Sequence, residues 1–446
     1  MIKYDSYKDS GIEWLGKIPA QWEIIRIKDK IVKIGSGVTP KGGSEVYVDE
    51  GIPLLRSQNV YDDGLRIDDV SFIDEETNAK MKNSQIKPND ILVNITGASI
   101  GRTCIVPSSL PKANINQHII YMRLKERYVN YVGAYFKTNA VKEYINLIQA
   151  GTSKEALNMG QALNIPLLFP PIEEQTAITQ YLDTKTQTID NKVNLLDKKI
   201  GYYKELRKSI INETVTKGLD KSAVLQVNGL GFETPSTWSK KRLKDVGFLY
   251  SGLSGKSGDD FNQDANPNNK GFIPFTNIAN NTYLKKDHLG TVVVFDGEKQ
   301  NKVKEGDIFF LMSSEGYEDI GKSAVLAENI DDTYLNSFCK GFRIKQKHCN
   351  PYFLNYLLLS DYYRQILIIE GKGFTRINLK MEKVNNFEVY LPKNLSEQSD
   401  IVSYLDHKTQ TIDKIVGNIQ NQITTLKELR KTLINDVVTG KIKVVE

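Results

Sequence analysis

Three cysteines in 446 residues, Cys104, Cys339 and Cys349, are too few for a disulfide framework, and a reducing compartment is expected. They also make no zinc site. Cys339, His348 and Cys349 supply three ligands at unsuitable spacing, and paired CxxC or HxxxH elements are absent. A buried thiol plus two surface residues is the plainer reading. Histidine is equally scarce, at four residues. His118 and His288 stand alone, His407 sits at a charged helix start, and no serine, histidine and acid form a local catalytic signature. No run approaches the ~20 apolar residues that span a bilayer. The nearest, residues 353–359 and 366–369, are short, so no membrane partner is expected. The opening MIKYDSYKDS has no apolar core of a signal peptide, and a cytoplasmic location follows as the expectation. Neither sign of charge dominates: 59 Lys and Arg against 54 Asp and Glu leave a net +5. Such a balance is compatible with nucleic acid without requiring it, and it limits how tightly the chain alone can grip phosphates.

Proline is missing from two long stretches, and those stretches repeat each other. EQTAITQYLDTKTQTIDNKVNLLDKKIGYYKELRKSIINETVTKG begins at Glu174, and EQSDIVSYLDHKTQTIDKIVGNIQNQITTLKELRKTLINDVVTGK begins at Glu397. Gln175 meets Gln398, Asp190 meets Asp413 and Arg207 meets Arg430, always 223 positions apart. Apolar residues recur in three- and four-residue steps: Ile189, Val193, Leu196, Ile200, Tyr203, Leu206 and Ile210 in one copy. Ile412, Val416, Ile419, Ile423, Leu426, Leu429 and Leu433 match them in the other. This is the a/d seam of a two-helix coiled coil. Two separate amphipathic helices are the alternative, but the matching register favours seams that face each other. Each helix of ~40 residues would run ~60 Å. The 17-residue link from Gly218 to Thr234 reaches at most ~60 Å fully extended. A parallel pair would force the chain back along the whole helix, so an antiparallel pair with a head at each end is expected, related by a quasi-twofold axis.

The regions between are distant relatives of each other. Pro19-Ala20-Gln21-Trp22 followed by RIKD corresponds to Pro235-Ser236-Thr237-Trp238 followed by RLKD. KPNDILVNITGASIGRTCIV at residues 87–106 corresponds to KEGDIFFLMSSEGYEDIGKSAVL at 304–326, and Asn116-Gln117 to Asn336-Ser337. Short β-rich runs bounded by Gly, Pro, Asn and Asp fill the first two-thirds of each head. A helical stretch follows, over residues 130–148 and 351–369. A glycine turn at Gly151 or Gly371 then leads to a short strand, residues 165–170 and 387–392. The expected fold class is α/β (α+β), with two small mixed α/β heads joined by two long antiparallel helices. Residues 1–170 form the first head, 171–218 the first spacer helix, 219–393 the second head and 394–446 the second spacer helix.

Gly316-Tyr317-Glu318-Asp319-Ile320-Gly321-Lys322-Ser323 matches the P-loop pattern letter for letter. A working P-loop needs a helix directly after Lys-Ser, so that N-terminal amides face phosphate. Ala324-Val325-Leu326 reads as a strand, and Glu318 and Asp319 would set two carboxylates beside an anion. The first head lacks the pattern at the same place, Gly97-Ala98-Ser99-Ile100-Gly101-Arg102-Thr103, as a plain turn between strands would. No Asn-Pro-Pro-aromatic tetrapeptide of an amino-methyltransferase and no glycine-rich cofactor loop is present, so no catalytic residue, cofactor or metal is expected in this chain.

Over essentially its full length the chain resembles the specificity subunits of type I DNA restriction–modification systems. The resemblance rests on the opening DSGIEWLGKIPAQWEIIRIKD and the proline-then-EQ junctions, Pro170-Pro171 to Glu174-Gln175 and Pro392 to Glu397-Gln398. The YLD…KTQTID helix starts and the KELRK interiors complete it. Each motif is weak alone and strong in duplicate at matched spacing. The resemblance implies two target-recognition domains reading a split, asymmetric sequence in double-stranded DNA, on helices that dock two methyltransferase subunits and up to two restriction subunits. S-adenosylmethionine, ATP and Mg would belong to those partners. A specificity subunit of a methylation-only or bifunctional system is a close variant, and a protein-binding scaffold an alternative of another class.

Base reading needs forked donors and acceptors: Arg for the guanine O6/N7 edge, Asn or Gln for the adenine N6/N7 edge, with cations and amides for phosphates. Arg56-Ser57-Gln58-Asn59 offers all of these after a predicted strand, and Thr276-Asn277 is its counterpart. Arg102, Asn116, Gln117 and Lys154 complete the candidate set in the first head. Lys322, Asn336, Lys372 and Arg376 complete it in the second. Any one of them alone could be an ordinary turn or capping residue; the set is the expectation.

Overall fold

The two proline-free stretches fold as single helices, and each is shared between two compact units. The structure, a computed structural model, describes residues 2–110, 112–149, 156–263, 265–345, 347–373 and 375–444. One unit comprises Met1–Asp197 with Gln420–Glu446, the other Lys198–Ile419. The principal elements are numbered along the chain. In the first unit they are β1 (Glu23–Arg26), β2 (Ile31–Ser36), β3 (Ile52–Leu55), β4 (Ile91–Asn94), β5 (Thr103–Ile105), β6 (Ala113–Ile115) and β7 (Ile119–Leu124). α1 (Glu126–Tyr135), α2 (Asn139–Gln149) and β8 (Pro166–Phe169) follow, then the long α3 (Ile172–Lys217). The second unit adds β9 (Ser239–Arg242), β10 (Gly247–Ser251), β11 (Asn269–Ile273), β12 (Ile308–Leu311), β13 (Ser323–Leu326), β14 (Thr333–Leu335) and β15 (Cys339–Ile344). It closes with α4 (Pro351–Leu359), α5 (Asp361–Glu370), β16 (Glu388–Leu391) and the long α6 (Leu395–Val438).

The internal repeat holds strand by strand. An antiparallel sheet ordered β5-β4-β7-β2 recurs as β13-β12-β15-β10, with the strand Tyr283–Leu284 added at its edge. A second sheet is built on a parallel pair, β6 with β3 in one unit and β14 with β11 in the other. The central strands β4 (ILVN) and β12 (IFFL) are buried at every position, as near-continuous apolar runs should be. Beside each lies one buried carboxylate. Asp90 accepts both forks of Arg123 and the Lys87 N–H; Asp307 accepts both forks of Arg343, the Lys304 N–H and the Tyr250 hydroxyl. Both arginines lie over a tyrosine, Arg123 over Tyr121 and Arg343 over Tyr250. Each tyrosine covers a glycine on the neighbouring strand, but the strands are exchanged. Tyr121 of β7 faces Gly35 of β2, whereas Tyr250 of β10 faces Gly341 of β15. A Cβ on either glycine would run into the ring. The duplicated frame therefore keeps a ring-over-glycine contact while changing which strand supplies the ring.

The EQ junctions have a physical job. The Glu174 carboxylate accepts the Tyr4 hydroxyl at 2.5 Å and the Trp22 indole N–H at 3.1 Å; Glu397 accepts the Trp238 indole N–H at 2.8 Å. The next residue turns inward as well. Gln175 donates to the Pro170 carbonyl and Gln398 to the Pro392 carbonyl. Each helix start is thus riveted to the Pro-x-x-Trp corner of its own unit. Each unit also receives a helix end: Gly218, after α3, packs on Trp238, and Gly440, after α6, packs on Pro19 and Trp22. Both glycines have positive φ, 72° and 74°, the left-handed conformation that ends a helix cheaply only at glycine. One helix start and one helix end in each unit make the helices antiparallel. Asp190 pairs with Arg430 in the first unit and Asp413 with Arg207 in the second, the same bridge with its partners exchanged.

Three expectations need correction. Leu206 and Leu429 are not in the seam; they are 47% and 52% exposed. Arg207 and Arg430 turn inward instead, toward those aspartates. An α-helix drifts about 20° per heptad against a 3.5-residue repeat. After Tyr203 the inward face therefore steps to Arg207, Ile211 and Val215, where Ile211 and Val215 join the core around Phe232 and Trp238. The helical stretches of the heads are each broken in two, at Thr138 and Ser360, whose hydroxyls donate to the Tyr135 and Leu357 carbonyls and close the preceding turn. Cys339 and Cys349 are both buried, where one buried thiol was expected. Burial pushes all three thiols up to about 12, so none is a thiolate at neutral pH.

Candidate nucleic-acid interface

In the first unit three connections meet at one end of the sheets. β3 runs out into a turn at Ser57–Asn59, β4 into a turn at Gly97–Ser99, and β6 joins β7 through Asn116-Gln117-His118. Register requires the meeting, because Ile115 lies beside Leu55 in the parallel pair and Asn94 opposite Ile119 in the antiparallel one. The buried Asn94 amide ties two turns together, donating to the Ser57 carbonyl at 2.8 Å and the Ser99 hydroxyl at 3.1 Å. The turns enclose an open concavity of about 420 Å³ lined by Ser57, Gln58, Tyr61, Thr96, Arg102 and His118, among others. Arg102 stacks on Tyr61 with its guanidinium 4.9 Å from the ring centre.

A polar chain crosses this tip. Thr39 donates its hydroxyl proton to Gln117 Oε1 at 2.6 Å. The Gln117 amide lies 3.1 Å from His118 Nε2, and His118 Nδ1 lies 2.7 Å from the Thr96 hydroxyl. An amide NH₂ only donates, so Nε2 accepts and Nδ1 carries the proton to Thr96. Donors and acceptors are held in a fixed order on an exposed turn, the property that hydrogen-bond reading of base edges requires.

The sequence candidates divide accordingly. Ser57, Gln58, Arg102, Asn116 and Gln117 come together here, with Gln58 and Gln117 exposed. Arg56 is half-buried at the start of its turn, its backbone N–H held by Asn59 Oδ1. Asn59 itself is 2% exposed, and its amide donates to the Arg66 and Asp69 carbonyls. Its side chain anchors the following loop and is not free to read a base. Asn116 presents its backbone turn, with Oδ1 accepting the His118 N–H at 3.2 Å. Lys154 lies outside the described residues. Thr39, Thr96, His118 and Tyr61 were missed. His118 stood in plain view, one residue beyond the matched Asn116-Gln117 pair.

The second unit repeats the backbone and changes the side chains. Asn336 Oδ1 accepts the Phe338 N–H at 2.9 Å, as Asn116 does for His118. Arg376, exposed on a neighbouring loop, stacks on Phe338 at 4.9 Å, and Lys372 is exposed at the other side of that loop. Thr276 is exposed on the short helix Phe275–Asn280. Asn277 donates to the His288 carbonyl and so anchors a loop, as Asn59 does. Lys322 occupies the place of Arg102 but pairs with Asp319 at 2.6 Å. Arg364 donates to the carbonyls of Glu318 and Ile320. The P-loop-like segment therefore turns carbonyls toward a guanidinium and runs into strand β13, the reverse of a phosphate cradle. Among the described residues no group of three or more His, Cys, Asp or Glu is placed to hold a metal, and no helix is long and apolar enough to cross a membrane.

Each tip turn is gauged by a glycine. A Cβ on Gly37 would strike the Asn116 carbonyl, and one on Gly252 the Asn336 carbonyl. Backbone cannot step aside as a side chain can. Gly37→Ala is expected to destabilise the first unit by about 1–3 kcal/mol, the range of overpacking, with Gly252→Ala doing the same in the second. Urea unfolding of both variants checks this, and a midpoint equal to wild type would refute the close approach.

A family model described as the type I restriction modification DNA specificity domain matches residues 19–198 and again 235–425. The MjaIX type I restriction enzyme specificity subunit of Methanocaldococcus jannaschii is 24% identical over 456 residues, spanning 100% of this chain and 99% of the relative. Among solved structures, a chain described for complex assembly and conformational transition of the type I R-M system matches with a TM-score of 0.70 at 16% identity, covering 95% of this chain and 99% of that one. The HsdS subunit from Thermoanaerobacter tengcongensis matches with a TM-score of 0.52 at 15% identity, covering 95% and 98%. At these identities the two structures speak for the fold.

Proposed function

Since the chain belongs to the family of the type I restriction modification DNA specificity domain, we propose that it is the DNA-reading subunit of a type I restriction–modification complex. It binds an asymmetric, two-part target in double-stranded DNA. One observation carries the reading. The two units hold equivalent turns with the same hydrogen-bond pattern and arm them with different side chains, Gln117 and His118 against Ser337 and Phe338. A repeated frame with unlike tips is what two unlike half-sequences require. In this reading residues 1–170 and 219–393 are the recognition domains. The reading set is Ser57, Gln58, Arg102, Gln117 and His118 in one, and Thr276, Phe338, Lys372 and Arg376 in the other. Asn59 and Asn277 drop out because their amides are taken up by the fold.

The chain is non-catalytic in this proposal and works in the cytoplasm. Two methyltransferase subunits supply S-adenosylmethionine chemistry, and up to two restriction subunits supply ATP- and Mg-dependent cleavage. The helix faces around Lys204–Lys208 and Lys427–Lys431 are the proposed docking surfaces, where Leu206 and Leu429 lie exposed among charges. A second cavity of the first unit, about 700 Å³, supports a protein partner there more than DNA. Arg102, Lys427, Arg430 and Lys431 share its lining with Asp62, Asp63, Asp190 and Asp197, so its charges balance and it is not the one-signed groove that grips a phosphate backbone. The test is co-expression with a type I methyltransferase subunit of the same organism, followed by genome-wide mapping of methylated adenine. A two-part motif is expected; a stable, active complex that methylates without one would overturn the reading.

A further inference from the structure

The tips of the two units share a backbone but not a chemistry. His118 and Phe338 occupy the same place in three independent hydrogen bonds. The Ile95 and Met312 N–H groups donate to their carbonyls, at 3.0 and 3.3 Å. Their own N–H groups donate to Asn116 and Asn336. The Ile119 and Cys339 N–H groups close the turns onto the Asn116 and Asn336 carbonyls, both at 3.1 Å. Where the first unit sets a hydrogen-bonded imidazole, the second sets a phenyl ring that is 49% exposed. A phenylalanine left half in water forgoes a large part of its burial free energy. A single exposed apolar residue is ordinary on a surface; this one stands at the position its counterpart fills with a polar network, beside the exposed Arg376.

We propose that Phe338 reads the C5-methyl group of a thymine in the half of the target bound by the second unit, with Arg376 stacked on the ring to fix it and to reach a guanine edge or a phosphate. This rests on the DNA-reading function proposed above. Thymine is the one base that offers a methyl group in the major groove, and phenylalanine is among the side chains that contact it. The alternative use of an exposed apolar ring is as a wedge between base pairs in the minor groove. The stacked guanidinium argues against it. A ring with one face covered cannot slide between two bases without shedding Arg376, whereas edge contact with a methyl group needs no movement. The two heads would then discriminate by different means, hydrogen bonds in the first and an apolar contact in the second.

The test uses the assembled complex of this chain with its methyltransferase subunits and duplexes carrying the mapped target. Uracil replaces each thymine of the second half-site in turn, which removes the methyl group and nothing else. Wild type is expected to lose roughly three- to tenfold in affinity at one thymine, the scale of one buried methyl group. Phe338→Ala is expected to bind more weakly and to be indifferent to that same change, and Phe338→Leu to keep part of the response. Thymines of the first half-site should be insensitive to either variant. Indifference of wild type to uracil throughout the second half-site would overturn the proposal, as would an equal uracil penalty in Phe338→Ala. Uracil indifference together with a sequence-independent loss in Phe338→Ala would point to the wedge. A wild-type complex that binds the mapped and a scrambled duplex equally would overturn the DNA-reading function itself, an outcome recognisable before any variant is made.

Discussion

Asp307→Ala is expected to remove about 3–5 kcal/mol from the stability of the second unit, the cost of leaving one member of a buried ion pair alone. The Asp307 side chain is 1% exposed and accepts four hydrogen bonds: from Arg343 Nε at 2.8 Å and Nη2 at 2.7 Å, from the Tyr250 hydroxyl at 2.6 Å and from the Lys304 N–H at 2.8 Å. Alanine leaves all four donors without it. Arg343 retains some solvent, at 27% exposure, which moderates the loss; Tyr250 is buried and has no such relief. Asp90→Ala in the first unit removes the same fork and backbone bond but no tyrosine. It should therefore cost less than Asp307→Ala. Asp307→Asn keeps the shape and some of the bonds and should fall between wild type and alanine. Domains are stable by about 5–15 kcal/mol, so the alanine variant should lose much of its cooperative unfolding transition in urea. A loss below about 1 kcal/mol, the scale of a surface pair, would show that the carboxylate does not organise the sheet.

How far this architecture was legible depends on what each residue answers to. The helices were legible because a duplicated seam and an absence of proline act over dozens of residues and leave little choice. The antiparallel pairing followed from linker length alone. Leu206 and Leu429 were misread because a seven-residue count ignores the slow drift of a straight helix, and because the last turns answer to the core around Trp238 in one helix and around Trp22 in the other. The tip turns were half legible. Asn116 and Asn336 matched in sequence and do match in structure, yet the residues that carry the contrast, His118 and Phe338, sit one step beyond the match and look like noise. The side chains of Asn59 and Asn277 are taken up by the fold for a reason no local pattern contains. Their amides answer to carbonyls seven and eleven residues downstream, which only the folded loop brings near. The exchange of ring and glycine between Tyr121–Gly35 and Tyr250–Gly341 was invisible, since pairing across strands leaves no mark in a chain read one residue at a time.

Exchange of residues 1–170 for the corresponding head of another specificity subunit is expected to change one half of the methylated motif completely and leave the other untouched. The junctions of the fold say what such a chimera must preserve. Glu174, 7% exposed, sits on the retained side of the exchange point, while its two donors, Tyr4 and Trp22, sit on the replaced side. An incoming head that supplies an indole and a phenol at those places restores both bonds. One that lacks the indole leaves a buried carboxylate short of a partner, at about 1–3 kcal/mol for the unmet bond or more if the charge stays. The same head must offer the proline and tryptophan against which Gly440 closes the other helix. Within the second unit nothing changes: Trp238 still donates to Glu397, and Asn336, Phe338 and Arg376 keep their places. Methylation mapping of matched chimeras therefore separates recognition from assembly. A donor head with both aromatic residues should give an active complex with one new half-motif. A donor without the indole should give a poorly assembled complex that Phe→Trp or Leu→Trp restoration at that position rescues. If an assembled, active chimera changed both half-motifs, or neither, the assignment of one half-sequence to each unit would be wrong.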